Sequence, residues 1–267
     1  MALALAGCES MGSVGSIGTG VAEVTTPTKD TSVNIDSLTD VIKRNPNDSE
    51  AYNTRGAAYA RIGDFSDAIT DFSTAVQLDP KNTAAYTNRA LAYRQTKHSD
   101  LALADFDRAL QSNPNHAPAY IGRANLLRAQ GNYTQAMSDL DQAIRLNPEG
   151  ALGAQAFHAR GLIHQRQGEQ AQAITDFDNA IDRDPFVAAP YQARAQSLMA
   201  QGKYTAAIED LNAALNVNTK NAEAWADLGV AYEKSGNAVK ARESYSRAKV
   251  IDPGNQVASD GLSRTGS

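Results

Sequence analysis

Residues 49–82 read SEAYNTRGAAYARIGDFSDAITDFSTAVQLDPKN, and residues 83–116 read TAAYTNRALAYRQTKHSDLALADFDRALQSNPNH. The two stretches share an aromatic residue near the start, a small residue four positions later and a closing proline. This proline, replaced once by Thr219, recurs at 46, 80, 114, 148, 185 and 253, so the spacing is 34 residues with one interval of 37. Repetition at a fixed period predicts an array of similar structural units.

Within each unit, spacings of three and four residues place small and large apolar residues on one helical face. An aromatic residue begins a first helix, and Gly or Ala follows four residues later. A second helix carries an alanine, then a large apolar residue, then another alanine. The large apolar residues are, in chain order, Phe72, Phe106, Leu140, Phe177, Leu211 and Tyr245. Small residues allow paired helices to approach closely, and large ones fill the space beside them.

The period and these residues resemble the tetratricopeptide repeat (TPR), a helix–turn–helix unit. The resemblance implies an all-α protein, a right-handed α-solenoid of six repeats over residues 49–253. Residues 33–48 look like a half-repeat, because Leu38 and Val41 take the places of Phe72 and Ala75, and we predict a capping helix there.

The C-terminal residues 254–267 offer only Val257 and Leu262 as apolar contacts, so the sequence predicts a tail, with a short helix as its alternative, that caps the last repeat incompletely. Whether the chain forms a homodimer through such weakly capped ends stays open.

Composition agrees with a helical binding protein. The apolar residues are dominated by alanine, which favours helix because it loses no side-chain entropy there. The net charge is −5, and apart from Lys43-Arg44 the Lys and Arg residues are spread singly along the chain. We therefore expect no nucleic-acid partner, because nucleic acids are bound through clustered basic residues.

The N-terminal residues contain the single cysteine. Leu5-Ala6-Gly7-Cys8 resembles a bacterial lipobox, in which the cysteine thiol receives a lipid. We interpret residues 1–8 as a truncated lipoprotein signal peptide and residues 9–32, rich in Gly, Ser and Thr, as a flexible tether. Only seven residues precede Cys8 and none is basic, a departure from signal peptides that leaves a disordered tail as the alternative.

Comparison of the repeats with one another suggests a structural ion pair. Arginine occupies one position of the first helix in five repeats, and aspartate occupies the position sixteen residues later. In the sixth repeat both change together, to Leu228 and Ser244. An arginine among packing positions needs a counter-charge, so we predict that Arg and Asp pair between the two helices.

Three extra residues near 149–153, where Gly150 and Gly153 lie, account for the interval of 37. The glycines predict a longer turn between the third and fourth repeats. Such a turn can change the superhelix angle or be a neutral insertion.

The first helices of a solenoid line its concave surface, which is the usual binding face. By resemblance to TPR proteins, the lining positions follow the opening aromatic by one, five and eight residues. The candidate partner-binding residues are Leu91, Arg94, Ile121, Asn125, Arg128, His158, Leu162, Gln165 and Gln196. Such a groove combines apolar contacts with groups that bind a peptide backbone or carboxylate.

Nothing in the sequence predicts catalysis. The four histidines have no metal-binding spacing such as H-E-x-x-H, and Cys8 has no neighbouring base. His164 takes the place of Tyr59 and Tyr93, which favours a packing role. We expect no enzyme activity, cofactor or metal.

Two function classes remain. The lipobox-like start and the repeats are similar to NlpI-type bacterial envelope lipoproteins, which implies a scaffold that gathers periplasmic proteins at a membrane. Glu9 directly follows the cysteine, where an aspartate commonly signals inner-membrane retention, so the outer membrane is favoured. The alternative is a soluble cytoplasmic TPR adaptor or chaperone-like module.

Overall fold

The computed structural model describes residues 29–266, and within that range every regular element is an α-helix. The fourteen helices are Lys29–Arg44 (α1), Ser49–Arg61 (α2), Phe65–Leu78 (α3), Thr83–Gln95 (α4), Ser99–Ser112 (α5), Ala117–Ala129 (α6), Tyr133–Leu146 (α7), Gly150–Arg166 (α8), Gln170–Arg183 (α9), Ala188–Ala200 (α10), Tyr204–Val217 (α11), Ala222–Lys234 (α12), Ala238–Ile251 (α13) and Gln256–Thr265 (α14). The even-numbered helices α2–α12 are the six first helices, and the odd-numbered helices α3–α13 are the six second helices. The predicted all-α solenoid is confirmed.

The N-terminal end of the described range differs from the predicted boundaries. Helix α1 begins at Lys29, so residues 29–32 of the predicted tether are helical. Cys8, the lipobox-like stretch and the rest of residues 1–28 lie outside the described residues. None of the helices in residues 29–266 is long and apolar enough to cross a lipid bilayer.

Short polar turns set the ends of the helices. The Asp48 and Asn82 side chains accept hydrogen bonds from the first turns of α2 and α4, satisfying amides that have no partner within the helix. Between the helices of a pair, the chain usually turns through a glycine with positive φ, as at Gly131 (80°). In the second repeat Lys97 takes this position with φ of 64°.

Where the large apolar residue of a second helix is aromatic, a glycine of a first helix approaches it closely. The large apolar residue is fully buried in each of the six second helices. A Cβ added at Gly56 would lie 2.7 Å from the Phe72 ring, so only glycine fits there. Phe106 shares an apolar cluster with Ala90 of its own repeat, and the close approach is made by Gly122 of the next repeat, where an added Cβ would lie 2.5 Å from the Phe106 ring.

The predicted ion pairs between helices are confirmed. Arg89 donates from Nε and Nη2 to the two carboxylate oxygens of Asp105, at 2.7 and 2.8 Å. The aspartate is buried, and the guanidinium lies 5.7 and 5.8 Å from the Tyr86 and Tyr93 ring centroids. The same two-bond pairing joins Arg55–Asp71, Arg123–Asp139, Arg160–Asp176 and Arg194–Asp210. Two parallel charge-assisted bonds hold each pair of helices in a fixed orientation.

Each arginine of these ion pairs also forms a contact toward the N-terminus, with the preceding repeat or with α1. This contact was not predicted from the sequence. The remaining terminal nitrogen, Nη1, donates to a side chain on the previous second helix or, in the first repeat, on α1. The acceptors are, in chain order, Thr39, Ser73, Asp107, Asp141 and Asp178. Hydrogen bonding to Asp139 and, secondarily, to Asp107 raises the pKa of Arg123 although burial opposes it. One guanidinium therefore joins both the helices of a repeat and adjacent repeats.

The predicted longer turn between the third and fourth repeats is wrong. Helix α8 begins at Gly150 and has 17 residues, whereas α6 and α10 have 13. The extra residues therefore add about one helical turn to α8. Arg183 of α9 holds this end, because it donates to the Pro148 carbonyl and its guanidinium lies 4.5 Å from the Phe157 ring centroid.

The C-terminal helix α14 packs on α12 and α13. Gly261 is buried against Tyr245, and a Cβ there would lie 2.3 Å from the ring. Leu262 joins the same apolar cluster, while Val257 is 49% exposed. The predicted tail is thus a helix that packs on Tyr245 mainly through Gly261, while Val257 contributes little.

A polar contact also holds α14. Arg264 donates two hydrogen bonds to Glu233, at 2.8 and 2.9 Å, and the Tyr245 hydroxyl donates to the same carboxylate at 2.6 Å. Arg264 and then Tyr245 lower the pKa of Glu233 to about 2.

Candidate functional site

The contacts between helices identify the concave side. Among the described residues, successive first helices such as α4 and α6, or α6 and α8, contact each other directly, whereas successive second helices do not. A stack of helix pairs curves toward the side on which neighbouring units are closer. The first helices therefore line the inner surface.

The structure divides the predicted groove residues by burial. Leu91 and Ile121 are each 6% exposed and belong to apolar clusters between helices. Arg94, Asn125, Arg128, His158, Leu162 and Gln165 are half-buried, and Gln196 is exposed. The apolar surface open to a partner in the middle of the groove is thus smaller than the sequence pattern indicates.

Three of the predicted residues meet in one cleft of about 580 Å³, which we call the basic cleft. It is lined by Arg128, Tyr133, Leu162, Gln165 and Arg166. Tyr133 begins the second helix α7, and Arg166 ends the first helix α8. Neither residue was predicted from the sequence, because Tyr133 lies on a second helix and Arg166 is one residue beyond the expected lining position.

Arg94 and Arg128 differ from the arginines that join the repeats, because neither forms an ion pair with a carboxylate of residues 29–266. Arg128 Nε is buried and has no hydrogen-bond partner there. Burial and then the positive charge of Arg128 lower the pKa of Arg94. Both residues lie in the last turn of a helix, where the helix dipole favours a cation. Within residues 29–266, the side-chain donors of both arginines nevertheless have no hydrogen-bond acceptor.

His158 lies beside this positive charge. Its ring centroid is 5.8 Å from that of Phe177, on the second helix of the same repeat. Burial and then the charge of Arg128 lower the pKa of His158 to about 4. His158 is therefore neutral at pH 7, and the positive charge in the middle of the groove comes from the arginines.

The two predicted glutamines contact the following repeats. Gln165 donates to the Ala193 carbonyl and the Ser197 hydroxyl, both at 3.0 Å. Gln196 donates to Asp227 at 2.9 Å, and Gln192 donates to the same oxygen at 3.2 Å. Asp227 follows the opening aromatic Trp225 by two positions, which the assumed lining positions do not include. A polar residue also stands at that position in the second repeat, where Asn88 donates to Asn53. Polar residues two positions after the opening aromatic are the sequence signal that could have identified Asp227.

The histidines outside the groove have packing and capping positions. His164 Nδ1 is 2.6 Å from Glu169 Oε2, and the side chain is half-buried. His98 and His116 lie at the N-caps of α5 and α6. Across residues 29–266, no three His, Cys, Asp or Glu side chains are grouped to hold a metal ion.

Comparison with protein-family models gives matches described as tetratricopeptide repeat. They cover residues 35–83, 53–117, 87–151 and 193–256 with one model and residues 154–186 with another. No curated protein sequence matches the chain significantly.

Solved structures with similar folds include three of differing size. The Cut9–Hcn1 heterotetramer of the APC/C matches with a TM-score of 0.77 at 20% identity, over 89% of this chain and 46% of that one. This chain thus spans about half the length of that relative. PilW, a type IV pilus biogenesis factor, matches with a TM-score of 0.72 at 21% identity, over 80% and 98% of the two chains. YrrB, a TPR protein with an unusual peptide-binding site, gives 0.56 at 22% identity, over 72% and 97%.

Proposed function

The chain belongs to the tetratricopeptide repeat family, and from this membership we propose that it is a non-catalytic scaffold that binds extended segments of other proteins along its first helices. The similar fold of YrrB, whose structure is described as having a peptide-binding site, supports this proposal. The groove offers a surface of the appropriate kind, because it runs across successive first helices and exposes polar side chains that are not used in packing.

The observation on which the proposal mainly rests is the pair of unmatched arginines, Arg94 and Arg128. Elsewhere in the solenoid a guanidinium at the helix interface is matched by a buried aspartate. A partly desolvated cation without a counter-charge lowers stability. A partner that supplies a carboxylate would restore the missing interaction and use the free donors. An acidic side chain or the C-terminal carboxylate of a partner segment has this chemistry.

The other residues of the groove suit the rest of an extended segment. Leu162 and Tyr133 provide apolar contact in the basic cleft. Asn125 lies on α6 and presents both a donor and an acceptor, which matches the alternating groups of a peptide backbone.

A binding comparison tests the groove. The full chain and the variant Arg94→Glu with Arg128→Glu are used as baits for cell-envelope extract, after circular dichroism confirms that both are folded. We expect the specific partners of the full chain to be lost with the variant, because the charge that attracts them has been reversed. The matched control is Arg108→Glu with Arg242→Glu, the same charge change at two exposed positions on second helices.

The control should retain the partners. If the groove variant retains the same partners as the full chain, binding takes place on another surface and the assignment of the groove is wrong. If both variants lose the partners equally, net charge and not the groove determines binding.

We also propose that the scaffold is a lipid-anchored protein of the bacterial cell envelope that faces the periplasm, with Cys8 as the lipid attachment site. The lipobox-like Leu5-Ala6-Gly7-Cys8 supports this location, and Glu9 after the cysteine favours the outer membrane. The similar fold of PilW, a pilus biogenesis factor, is consistent with an envelope role. Mass spectrometry of the N-terminal peptide tests it: a diacyl- or triacyl-cysteine at Cys8 is expected, and an unmodified Cys8 would favour the soluble cytoplasmic adaptor.

A further inference from the structure

Asp227 lies on the same concave surface as the basic cleft, toward the C-terminal end of the groove. Two groove side chains of α10, Gln192 and Gln196, donate to one of its oxygens, Oδ2. A carboxylate accepts about four hydrogen bonds over its two oxygens. No donor within residues 29–266 bonds to its other oxygen, Oδ1, which leaves that oxygen as an acceptor for a ligand.

Asp227 has no cationic partner among residues 29–266, since none of the ion pairs there includes it. Burial raises the pKa of Asp227, the two glutamines oppose this, and the nearby charge of Glu223 adds to it. Like Arg128, Asp227 carries a partly desolvated charge that has no counter-charge in the described part of the chain.

The groove thus holds unmatched charges of opposite sign at two places. Arg94 and Arg128 lie on α4 and α6, and Asp227 lies on α12. The side of the first helices that faces the second helices differs. There, in each of the first five repeats, an arginine pairs with an aspartate of the same repeat. Unmatched charges that face a common groove are matched when a bound segment supplies the opposite charges at the same separation.

We propose that the groove selects segments that carry both an acidic and a basic group, with the acidic group at Arg94 and Arg128 and the basic side chain at Asp227. This inference rests on the proposed function and specifies the chemistry of the partner. Three steps between neighbouring first helices separate α6 from α12. At roughly 8–10 Å per step and about 3.3 Å per residue, the two groups lie roughly seven to nine residues apart in an extended segment.

The probe is a displayed library of random 16-residue peptides, selected against the full chain. We expect selected peptides to carry one acidic and one basic residue at this separation. Asp227→Lys should shift the selection to peptides with two acidic residues, and Arg94→Glu with Arg128→Glu should shift it to peptides with two basic residues. A peptide selected on the unchanged chain should lose at least tenfold in affinity with either variant.

Two further variants separate charge from folding. Asp227→Asn retains an acceptor for Gln192 and Gln196 while removing the charge, and it should lose the preference for a basic residue. Asp182→Lys makes the same charge change at an exposed position of the second helix α9 and should leave the selection unchanged.

The outcomes distinguish this inference from the proposed function. If affinity falls with Arg94→Glu and Arg128→Glu together but is unchanged with Asp227→Lys and Asp227→Asn, the groove binds peptides through its arginines alone and the two-charge inference is wrong. If no selected peptide responds to any groove variant, or none binds, the groove itself is not the binding site and both proposals fall.

Discussion

The first five repeats and the sixth repeat solve the same packing problem with different chemistry. In the first five, an arginine on the first helix and an aspartate on the second form two hydrogen bonds, and the arginine also bonds to the preceding repeat or to α1. In the sixth, Leu228 fills the arginine position and is 2% exposed, and Ser244 bonds to the Lys240 carbonyl of its own helix. The charged contact of that repeat lies instead at its far side, where Glu233 meets Arg264 of α14.

The comparison shows that the ion pair is one of two workable arrangements at this interface. A buried ion pair and a well-packed apolar group of similar volume can be nearly equal in stability, while half of an ion pair is costly. The position of the repeat then decides which contacts matter most. Interior repeats depend on bonds to both neighbours, and the last repeat depends on how α14 is held.

The largest expected effect on stability comes from removing one partner of an interior Arg–Asp ion pair. Arg89→Leu gives the second repeat the residue of the sixth, but it leaves Asp105 buried without its partner. We expect a loss of about 3–5 kcal/mol in the free energy of unfolding, measured by chemical denaturation. Adding Asp105→Ser should recover most of the loss, because the unmatched charge is gone. A double variant no more stable than the single one would show that the two arrangements are not interchangeable.

The next effect concerns the C-terminal end. Gly261→Ala places a methyl group 2.3 Å from the Tyr245 ring, so α14 must move away. We expect a cost of about 1–3 kcal/mol and faster hydrogen exchange in α14, with little change in the first three repeats. Ser263→Ala, at an exposed position of the same helix, is the control and should leave α14 protected. Unchanged exchange with Gly261→Ala would mean that α14 is not held by this contact.

A smaller effect distinguishes one interior repeat from the others. Lys97 has a φ of 64°, where the corresponding turns use glycine. The left-handed conformation is unfavourable for a residue with a Cβ, so Lys97→Gly should raise the stability by about 1 kcal/mol. The reverse change, Gly131→Lys, should lower stability by a similar amount in the same thermal denaturation series. A loss of stability with Lys97→Gly would show that this turn does not carry the expected strain.

The smallest effect is a pH dependence confined to the last repeat. Arg264 lowers the pKa of Glu233 to about 2 in the folded chain, below its ordinary value of 4.5. The stabilisation is therefore present above pH 4.5 and is lost as the pH falls toward 2. We expect α14 to become less protected from hydrogen exchange over this range, and the partly exposed pair limits the size of the change. Glu233→Gln should abolish this pH dependence; if it persists, another group is responsible.

Features that recur in several repeats could be predicted from the sequence, whereas features that vary between repeats could not. The Arg–Asp pairs could be predicted because five repeats carry both residues and the sixth loses both. The third bond of each arginine could not, because its acceptor lies on the preceding helix and changes from Thr39 and Ser73 to three aspartates. The extra turn of α8 was also missed, since glycines at 150 and 153 are typical of a turn, yet Gly153 is buried in the helix.

The sequence by itself determined the number of repeats, the helix faces and the internal ion pairs, because each is set by spacing along the chain, and local spacing fixes which residues share a helical face. Only the tertiary structure decided which groove residues are available to a partner. Leu91 and Ile121 are covered by neighbouring helices, and Arg94, Arg128 and Asp227 have no counter-charge among residues 29–266. Burial and pairing at the concave surface depend on how closely successive repeats approach, and that distance results from the packing of the whole stack.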